Sequence, residues 1–142
     1  MLHVSVIDDD ALVLSMMRRS LNLFGFVVDC HSSAAAFFWH LDPEHLPDLI
    51  FCDVMMPQVD GLELYNRLYT LVGSRMPPFV FTTGHPPSER LKSLLGNPEV
   101  QILGKPFQLS QLRDLVHAKM QTIRPARGDG LFGDETMRMD FE

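Results

Sequence analysis

The sequence predicts an α/β domain in which helices cover both faces of a doubly wound, five-stranded parallel sheet. Five short apolar runs alternate with five segments in which apolar residues recur at helical spacing, and this alternation is typical of such a sheet. The first, third and fourth runs are continuously apolar, as strands become when both faces are buried. A chain of 142 residues is long enough for one such domain with its own core.

The predicted elements follow one another in regular order. Strands are expected at about residues 2–7, 26–30, 48–52, 78–82 and 100–103. Helices are expected at about residues 11–24, 33–41, 61–72, 88–95 and 108–122. The helical pattern then ends, and Pro125 with three glycines indicates a flexible tail or the start of a linker at about 123–142. We therefore predict one domain at about residues 1–122.

Two helices allow predictions about burial. The core-facing stripe of the first helix is expected at Val13, Met16, Met17, Ser20, Leu21 and Phe24. This helix should end at Gly25, because glycine readily adopts the positive φ of a helix C-terminus. In the second helix, Phe37, Phe38 and Trp39 are consecutive and cannot all face one side. At least one of them should be exposed, either over a core edge or as part of a partner or dimer surface.

Composition and charge exclude several classes of function. The net charge is -6 and the 12 basic residues form no cluster, so we expect no direct binding to nucleic acid. No apolar run approaches the roughly 20 residues that span a bilayer, and the chain starts with a strand instead of a signal sequence. We therefore expect a cytoplasmic protein without membrane contact. Cys30 and Cys52 lie within predicted strands and should be reduced core residues.

Two of the predicted strands end in carboxylates. Asp8, Asp9 and Asp10 follow the first strand, and Asp53 ends the third, just before a turn with Pro57. Ligands of a parallel sheet gather beyond the carboxyl ends of its strands, so these carboxylates should meet if the two strands are neighbours. Carboxylate oxygens suit Mg²⁺, and an aspartate beside bound Mg²⁺ can accept a phosphoryl group. Each motif alone is equally consistent with a turn residue or a helix cap.

Two further strand ends carry related groups. Thr82 and Thr83 place hydroxyls at the end of the fourth strand, before Gly84, and Lys105 follows the fifth, before Pro106. A lysine in this position could instead pair with a structural carboxylate. Taken together, the four strand ends offer carboxylates, hydroxyls and one ammonium group, a set suited to phosphoryl transfer.

The ordered set of these residues resembles the receiver domain of two-component response regulators. The matching residues are Asp8-Asp9, Asp53 with Met56-Pro57 and Gly61, Thr83-Gly84, and Lys105-Pro106-Phe107. The resemblance covers about residues 2–122, and the intervals between the matching residues are also similar to those of the family. It implies a flavodoxin-like fold with strand order 2-1-3-4-5, in which the first, third, fourth and fifth strands lie side by side.

The resemblance implies a role for each residue of the acidic site. Asp53 would be the phosphoacceptor of a phosphorelay. Asp9, Asp53 and the backbone carbonyl of Met55 would hold the Mg²⁺ cofactor, with Asp8 binding through water. Lys105 would offset the negative charge of the phosphoryl group. The protein would then be a signalling phosphoprotein and not an enzyme, although weak self-dephosphorylation is expected.

The resemblance also assigns a conformational switch. Thr83 is preferred over Thr82 as the switch residue, because the small Gly84 follows it and leaves room for a phosphoryl group. The bond between Lys105 and Pro106 is expected to be cis.

Three positions depart from the usual pattern or vary within it. Ile102 stands where many receivers have an aromatic residue that moves with the threonine, so the usual aromatic coupling is in doubt. Met55 and His85 match variable positions that flank the phosphoryl group and tune its lifetime.

The expected partner is a sensor histidine kinase or a histidine phosphotransfer protein, and a homodimer is left open. The chain is too short for a receiver and a typical output domain, so it would be a single-domain regulator or a receiver cut from a longer one. The alternative function is a receiver-like interaction module that works without phosphorylation. A phosphatase or phosphotransferase would need a second carboxylate two residues after Asp53, where Met55 stands.

Overall fold

The computed structural model describes the backbone of residues 1–127 and the side chains of these residues except 122 and 124–127. The strands are β1 (His3–Ile7), β2 (Val27–His31), β3 (Leu49–Asp53), β4 (Phe79–Thr83) and β5 (Val100–Gly104). The helices are α1 (Ala11–Leu23), α2 (Ala34–His40), α3 (Gly61–Val72), α4 (Glu89–Leu94) and α5 (Leu109–Arg127), and a 3₁₀ turn spans Gly73–Arg75. The chain divides into two compact units, and the first, Met1–Phe107, contains the whole sheet and α1 to α4.

All five strands are parallel and form one sheet in the order β2-β1-β3-β4-β5. This confirms the predicted flavodoxin-like order, in which β1 lies between β2 and β3. Every carboxyl end therefore lies at the same edge of the sheet. The register places Ile7 beside Cys52, so the residues that follow β1 emerge next to Asp53 at the end of β3.

The central strands are buried along their whole length. Every residue of β3 and of β4 is buried, which matches their continuously apolar sequences. Aromatic rings dominate the core on one side: Tyr65 packs edge-on against Phe79 with a centroid distance of 5.1 Å, and Phe79 lies 4.7 Å from Phe81. The edge strand β5 is mixed, since Gln101 and Gly104 are exposed.

Short polar side chains begin four of the helices. The side-chain oxygens of Asp10, Ser33, Asp60 and Ser88 accept hydrogen bonds from backbone N–H groups in the first turns of α1, α2, α3 and α4. Each such bond satisfies a donor that a helix leaves unpaired, and each typically contributes about 1 kcal/mol. Asp10 is therefore a helix cap, as one interpretation of its motif predicted. Its role thus differs from those of Asp8 and Asp9.

Most element boundaries agree with the prediction to within two residues, and α5 is the exception. It extends to Arg127, five residues beyond its predicted end, although Pro125 lies within it. Residues 128–142 of the predicted tail lie outside the described part of the chain. The predicted domain boundary at residue 122 therefore stays a prediction.

Predictions about individual side chains are mostly confirmed. Gly25 has φ of 97°, as expected for a residue that ends a helix. Within the aromatic triplet, Phe37 is buried while Trp39 is 84% exposed. The prediction for Met16 was wrong: it is exposed, because only the part of the α1 stripe around Met17 is covered.

Cys30 and Cys52 are free thiols within β2 and β3, as predicted. Cys52 is buried in the core, whereas Cys30 is only half-buried, so the predicted core position is confirmed for Cys52 alone. Burial raises the pKa of the Cys52 thiol well above its ordinary value, and the nearby carboxylate of Asp53 adds to this effect. Among the described residues, no helix has both the length and the apolar character needed to cross a bilayer.

Candidate functional site: an acidic pocket at the carboxyl ends of the strands

Three carboxylates converge where β1 and β3 end. Asp8 and Asp9 follow β1 directly, and Asp53 is the last residue of β3. Their side-chain oxygens lie within 4.8 Å of one another. This convergence follows from the pairing of β1 with β3, so the sequence-based expectation that the two acidic strand ends meet is confirmed. We refer to Asp8, Asp9, Asp53 and the neighbouring Lys105 as the acidic pocket.

The two carboxylates after β1 have different surroundings. Asp8 is 1% exposed, and its two oxygens accept hydrogen bonds from the backbone N–H of Asp10 at 2.9 Å and from Nζ of Lys105 at 2.8 Å. Asp9 is exposed, and within residues 1–127 no hydrogen bond or ion pair reaches its carboxylate. Asp9 is thus the member of the acidic pocket whose oxygens are available to a ligand.

The Asp53 carboxylate is buried with one oxygen facing Lys105. Its Oδ2 lies 3.4 Å from Nζ of Lys105, and its Oδ1 accepts a long hydrogen bond of 3.4 Å from the backbone N–H of Met55. Burial raises the pKa of Asp53, and the negative charge of Asp8 raises it further, while Lys105 offsets only part of the increase. The pocket therefore holds more negative than positive charge.

Lys105 connects the two buried carboxylates. It follows β5, and its backbone N–H donates to the carbonyl of Thr83 at 2.7 Å, which fixes it beside the end of β4. Burial lowers the pKa of the ammonium group, but the hydrogen bond and charge of Asp8, together with Asp53, outweigh burial and raise it. Lys105 therefore stays charged at neutral pH. The bond from Lys105 to Pro106 is cis, as the resemblance predicted.

Gly61 allows the loop after Asp53 to fold back onto the strand. Its backbone N–H donates to the carbonyl of Val54 at 2.9 Å. A Cβ atom on Gly61 would collide with the backbone carbonyl of Asp53 and would lie 3.0 Å from Cα of Val54. Only glycine fits this close approach without a backbone shift, which explains why this member of the motif is needed beside Asp53.

The two threonines at the end of β4 occupy different positions. The register pairs Thr82 with Asp53, and Thr83 with Gly104. The hydroxyl of Thr83 contacts its own loop: it accepts from the backbone N–H of His85 at 3.1 Å. Thr83 thus lies at the carboxyl end of β4, as predicted. Its hydroxyl, however, is hydrogen-bonded to the β4–α4 loop and not to a carboxylate of the pocket.

The two variable positions beside Asp53 and Thr83 are both exposed. Met55 is 59% exposed, and His85 is exposed in the β4–α4 loop. Ile102 is half-buried and packs against the core, which gives it a packing role where an aromatic residue is usual in receivers.

The direct pairing of Lys105 with Asp8 has no signal in the sequence. These residues are 97 positions apart, and β5 lies three strands away from β1. The side chain of Lys105 reaches past the ends of β4 and β3, which strand order alone does not reveal. The ammonium group thus contacts two carboxylates of the acidic pocket, Asp8 and Asp53.

The chemistry of the donor set fits a hard divalent cation. Three carboxylates offer oxygen ligands alone, and their spacing is short enough for a single ion to contact more than one of them. The excess of negative charge in the pocket favours such an ion. Because Asp9 is exposed, an ion can reach its carboxylate from solvent.

Comparison with known proteins agrees with the fold. A sequence model described as the response regulator receiver domain matches residues 4–117. Response regulator MprA of Mycobacterium sp. (strain KMS) is 32% identical over 126 residues, which are 89% of this chain and 54% of the relative. Response regulator MprA of Mycobacterium avium (strain 104) is 33% identical over 125 residues, or 87% of this chain and 53% of the relative. The chain thus spans about half the length of the curated relatives it matches.

Solved structures give the same result. A response regulator receiver protein from Burkholderia phymatum is 30% identical with a TM-score of 0.71, and the match covers 85% of this chain and 96% of that one. The chemotaxis protein CheY4 of Vibrio cholerae is 20% identical with a TM-score of 0.73, covering 83% and 98%, and supports the fold alone. Since the family match spans most of its length, the chain belongs to the response regulator receiver domain family of two-component signalling systems.

Proposed function

We propose that the protein is a phosphoacceptor whose Asp53 receives a phosphoryl group from a phosphohistidine. One observation carries this proposal: Nζ of Lys105 lies 2.8 Å from Asp8 and 3.4 Å from the buried Asp53. The ammonium group is thereby held beside the one carboxylate of the pocket that stands at the end of a fully buried strand. A positive charge fixed beside a nucleophile is the arrangement that stabilises a phosphoryl group during transfer.

In the proposed reaction, a carboxylate oxygen of Asp53 attacks the phosphorus atom in line with the leaving nitrogen. The new O–P bond forms as the P–N bond breaks, and the imidazole nitrogen keeps the electron pair. Lys105 offsets the charge on the phosphoryl oxygens, and Asp8 holds its ammonium group in position. The partner is accordingly a sensor histidine kinase or a histidine phosphotransfer protein.

Mg²⁺ is the proposed cofactor, held by Asp9, Asp53 and the backbone carbonyl of Met55, with Asp8 contributing through water. When bound, it would supply further positive charge to the phosphoryl oxygens. Both oxygens of Asp8 already accept hydrogen bonds, which supports an indirect role for this residue.

Thr83 is the proposed switch residue. Its hydroxyl is bonded to the backbone of His85, so turning toward a phosphoryl group would release a contact of the β4–α4 loop. Because Ile102 is packed against the core, the response would pass through this loop without an aromatic partner. The resulting change would alter binding of a downstream partner in the cytoplasm. As the charge distribution predicts, this response would involve no direct contact with nucleic acid.

The proposed phosphorylation is tested by intact mass after incubation with acetyl phosphate and Mg²⁺. The expected result is a gain of one phosphoryl group, about 80 Da, that is absent in Asp53→Asn and absent when Mg²⁺ is chelated. A matched control is Asp60→Asn, which changes a helix-capping carboxylate and should be phosphorylated normally. If the wild type gains no mass, even in a time-resolved experiment, the protein would instead be an interaction module that works without phosphorylation.

The proposed switch is tested by hydrogen exchange of the β4–α4 loop with and without beryllofluoride, a stable mimic of the phosphoryl group. We expect protection to change in the wild type and in Thr82→Ala, but not in Thr83→Ala. If Thr82→Ala alone abolishes the response, Thr82, which pairs with Asp53 in the sheet, is the switch residue.

A further inference from the structure

An apolar groove lies between α2 and α3, outside the acidic pocket. It has a volume of about 470 Å³, and its lining includes Ala35, Phe38, Val59, Arg67, Thr70 and Leu71. We call it the α2–α3 groove, and it lies within the first compact unit of the chain. Leu71 is exposed and Phe38 is only half-buried, although both are large apolar side chains. The proposed phosphorylation gives this groove no role.

The polar side chains of the groove already have partners within α3. The hydroxyl of Thr70 donates to the backbone carbonyl of Asn66 at 3.0 Å, and the guanidinium of Arg67 pairs with Glu63 at 2.7 Å. A polar ligand would have to compete with these contacts, whereas an apolar one would leave both of them intact. A groove of this volume has room for a large aromatic side chain. The chemistry of the lining therefore favours an apolar, aromatic occupant.

A side chain of this kind projects from the surface next to the groove. Trp39 is the only tryptophan of the chain, and it is 84% exposed in the last turn of α2. It comes four residues after Ala35, which lines the groove, so these two side chains are neighbours on one face of the helix. A projecting aromatic ring and a groove that suits an aromatic ring thus lie side by side on one surface.

The charge of this surface suits an approach by a second copy of the chain. Each chain has a net charge of -6, and copies of equal charge repel one another. Within α2 and α3, the only Asp, Glu, Lys or Arg residues are Glu63 and Arg67, whose charges cancel. The negative surplus therefore lies elsewhere on the chain. Two acidic copies can meet through these helices with little repulsion, whereas a strongly charged foreign protein would gain no attraction there.

We propose that the α2–α3 groove is a self-association surface, on which a second copy of this chain binds about a two-fold axis. Trp39 of each copy enters the groove of the other, so that one contact is made twice, as in any isologous interface. Arg67 lines the groove, and its guanidinium can cover the face of the incoming indole ring. A buried aromatic side chain contributes about 150–250 Å², well below the roughly 800 Å² per partner of a stable complex. The dimer is therefore weak and reversible.

The test is sedimentation velocity of the full, unphosphorylated chain in EDTA at about 10 μM to 1 mM, the range of weak interfaces. We expect a reversible equilibrium between monomer and dimer. The fluorescence of Trp39 should shift to shorter wavelength as the dimer forms, because its ring leaves water. The dissociation constant should rise at least about tenfold in Trp39→Ala, as for an aromatic anchor. Leu23→Ala, which removes an exposed apolar side chain of α1, is the matched control and should dimerise normally.

A complementation experiment tests whether the contact is reciprocal. Ala35→Arg places a long side chain across the groove and leaves Trp39 unchanged. Each variant alone should dimerise poorly, but a mixture of Ala35→Arg and Trp39→Ala should associate more tightly than either. In the mixed dimer, the Trp39 side chain of the first variant can still enter the open groove of the second.

Ala35 and Trp39 are both exposed, so both variants should fold normally, which circular dichroism would verify. A wild type that stays monomeric at about 1 mM would overturn the proposal and leave the groove to a different protein or to a small apolar ligand. A dimer that is unchanged in Trp39→Ala, or that Leu23→Ala weakens equally, would also overturn it, because the contact would then lie elsewhere. So would a mixture that associates no better than the two variants do alone.

Discussion

The acidic pocket can be compared with the histidine pocket, a cavity beside β2 and α2 that is lined by His3, His31, His40, His45, Asp29 and Asp42. Each pocket contains a carboxylate with charged neighbours, but the balance of charge differs. Asp53 shares its surroundings with Asp8 and one lysine, whereas Asp29 is flanked by two histidines and a hydroxyl. Burial and the charge of Asp8 raise the pKa of Asp53 despite Lys105. Burial also acts to raise the pKa of Asp29, but hydrogen bonds from His31 and Ser5 and the charges of both histidines outweigh it and lower the pKa. A carboxylate site favours a bound cation only when its own residues leave part of the negative charge unbalanced.

Removing Lys105 should have the largest effect on the acidic pocket. In Lys105→Met, the stem is retained but no ammonium group faces Asp53, so the phosphoryl oxygens lose their protein-borne positive charge. We expect the rate of phosphorylation by acetyl phosphate to fall by about 10²–10³-fold, as for loss of one transition-state donor. The rate is measured from the mass gain over time.

Lys92→Met is the control for loss of a lysine. Lys92 lies on α4, and its ion pair with Glu89 at 3.7 Å is exposed, so its removal should leave the rate unchanged. Equal rates for Lys105→Met and the wild type would mean that Lys105 only balances the charge of Asp8.

The backbone of the acidic pocket can be disturbed without changing a charge. In Gly61→Ala, the new methyl group would collide with the carbonyl of Asp53, and the loop must shift. We expect the free energy of unfolding to fall by about 2 kcal/mol, within the range for overpacking, as measured by urea unfolding. Gly96→Ala is the matched control, because a Cβ atom there meets nothing within 4 Å. A similar loss in both variants would mean that the effect comes from replacing a glycine in general and not from the close approach at Gly61.

Neutralising Asp53 and neutralising Asp29 should have opposite effects on stability, because the surroundings shift the pKa values of these residues in opposite directions. Without divalent cations, Asp53→Asn should raise the free energy of unfolding by about 1 kcal/mol, because it removes a buried charge that Asp8 repels. Asp29→Asn should lower it by roughly 0.5 kcal/mol, a modest value because water screens this partly exposed carboxylate. Urea unfolding in EDTA measures both changes in the free energy of unfolding. Changes of the same sign would contradict the proposed difference in charge balance between the two sites.

The smallest predicted effect is a difference in acid sensitivity. Because the folded-state pKa of Asp29 lies below its unfolded value, its contribution to stability is fully present above the unfolded pKa of about 3.9. The contribution is lost as the pH falls through the lower folded pKa. The stability difference between the wild type and Asp29→Asn should therefore shrink as the pH falls from about 5 to 3. A difference that stays constant over this range would show that Asp29 acts by packing and not by charge.

The fold and the acidic pocket were largely predictable because their signals are local. Asp8, Asp53, Thr83 and Lys105 each follow an apolar run, and parallel strands bring such positions to one edge. The exposure of Met16 was not predictable, since helical periodicity identifies a face but not how far its neighbours cover it. The extension of α5 past Pro125 also runs against local preference.

The histidine pocket gave no signal in the sequence. His3, His31, His40 and His45 come from a strand start, a strand end, a helix end and a loop, and they share no spacing typical of a metal site. They meet because β2 pairs with β1 and because α2 follows β2, which only the fold reveals. The pairing of Asp8 with Lys105 was hidden for the same reason.

The most direct test of the phosphoacceptor role is chemical mapping of the modified residue. After incubation with acetyl phosphate and Mg²⁺, borohydride reduction converts an acyl phosphate on aspartate to homoserine, which peptide sequencing by mass spectrometry can locate. We predict homoserine at position 53 alone. Homoserine at Asp8 or Asp9, with Asp53 unmodified, would contradict the account, because the nucleophile would then not be the carboxylate that faces Lys105.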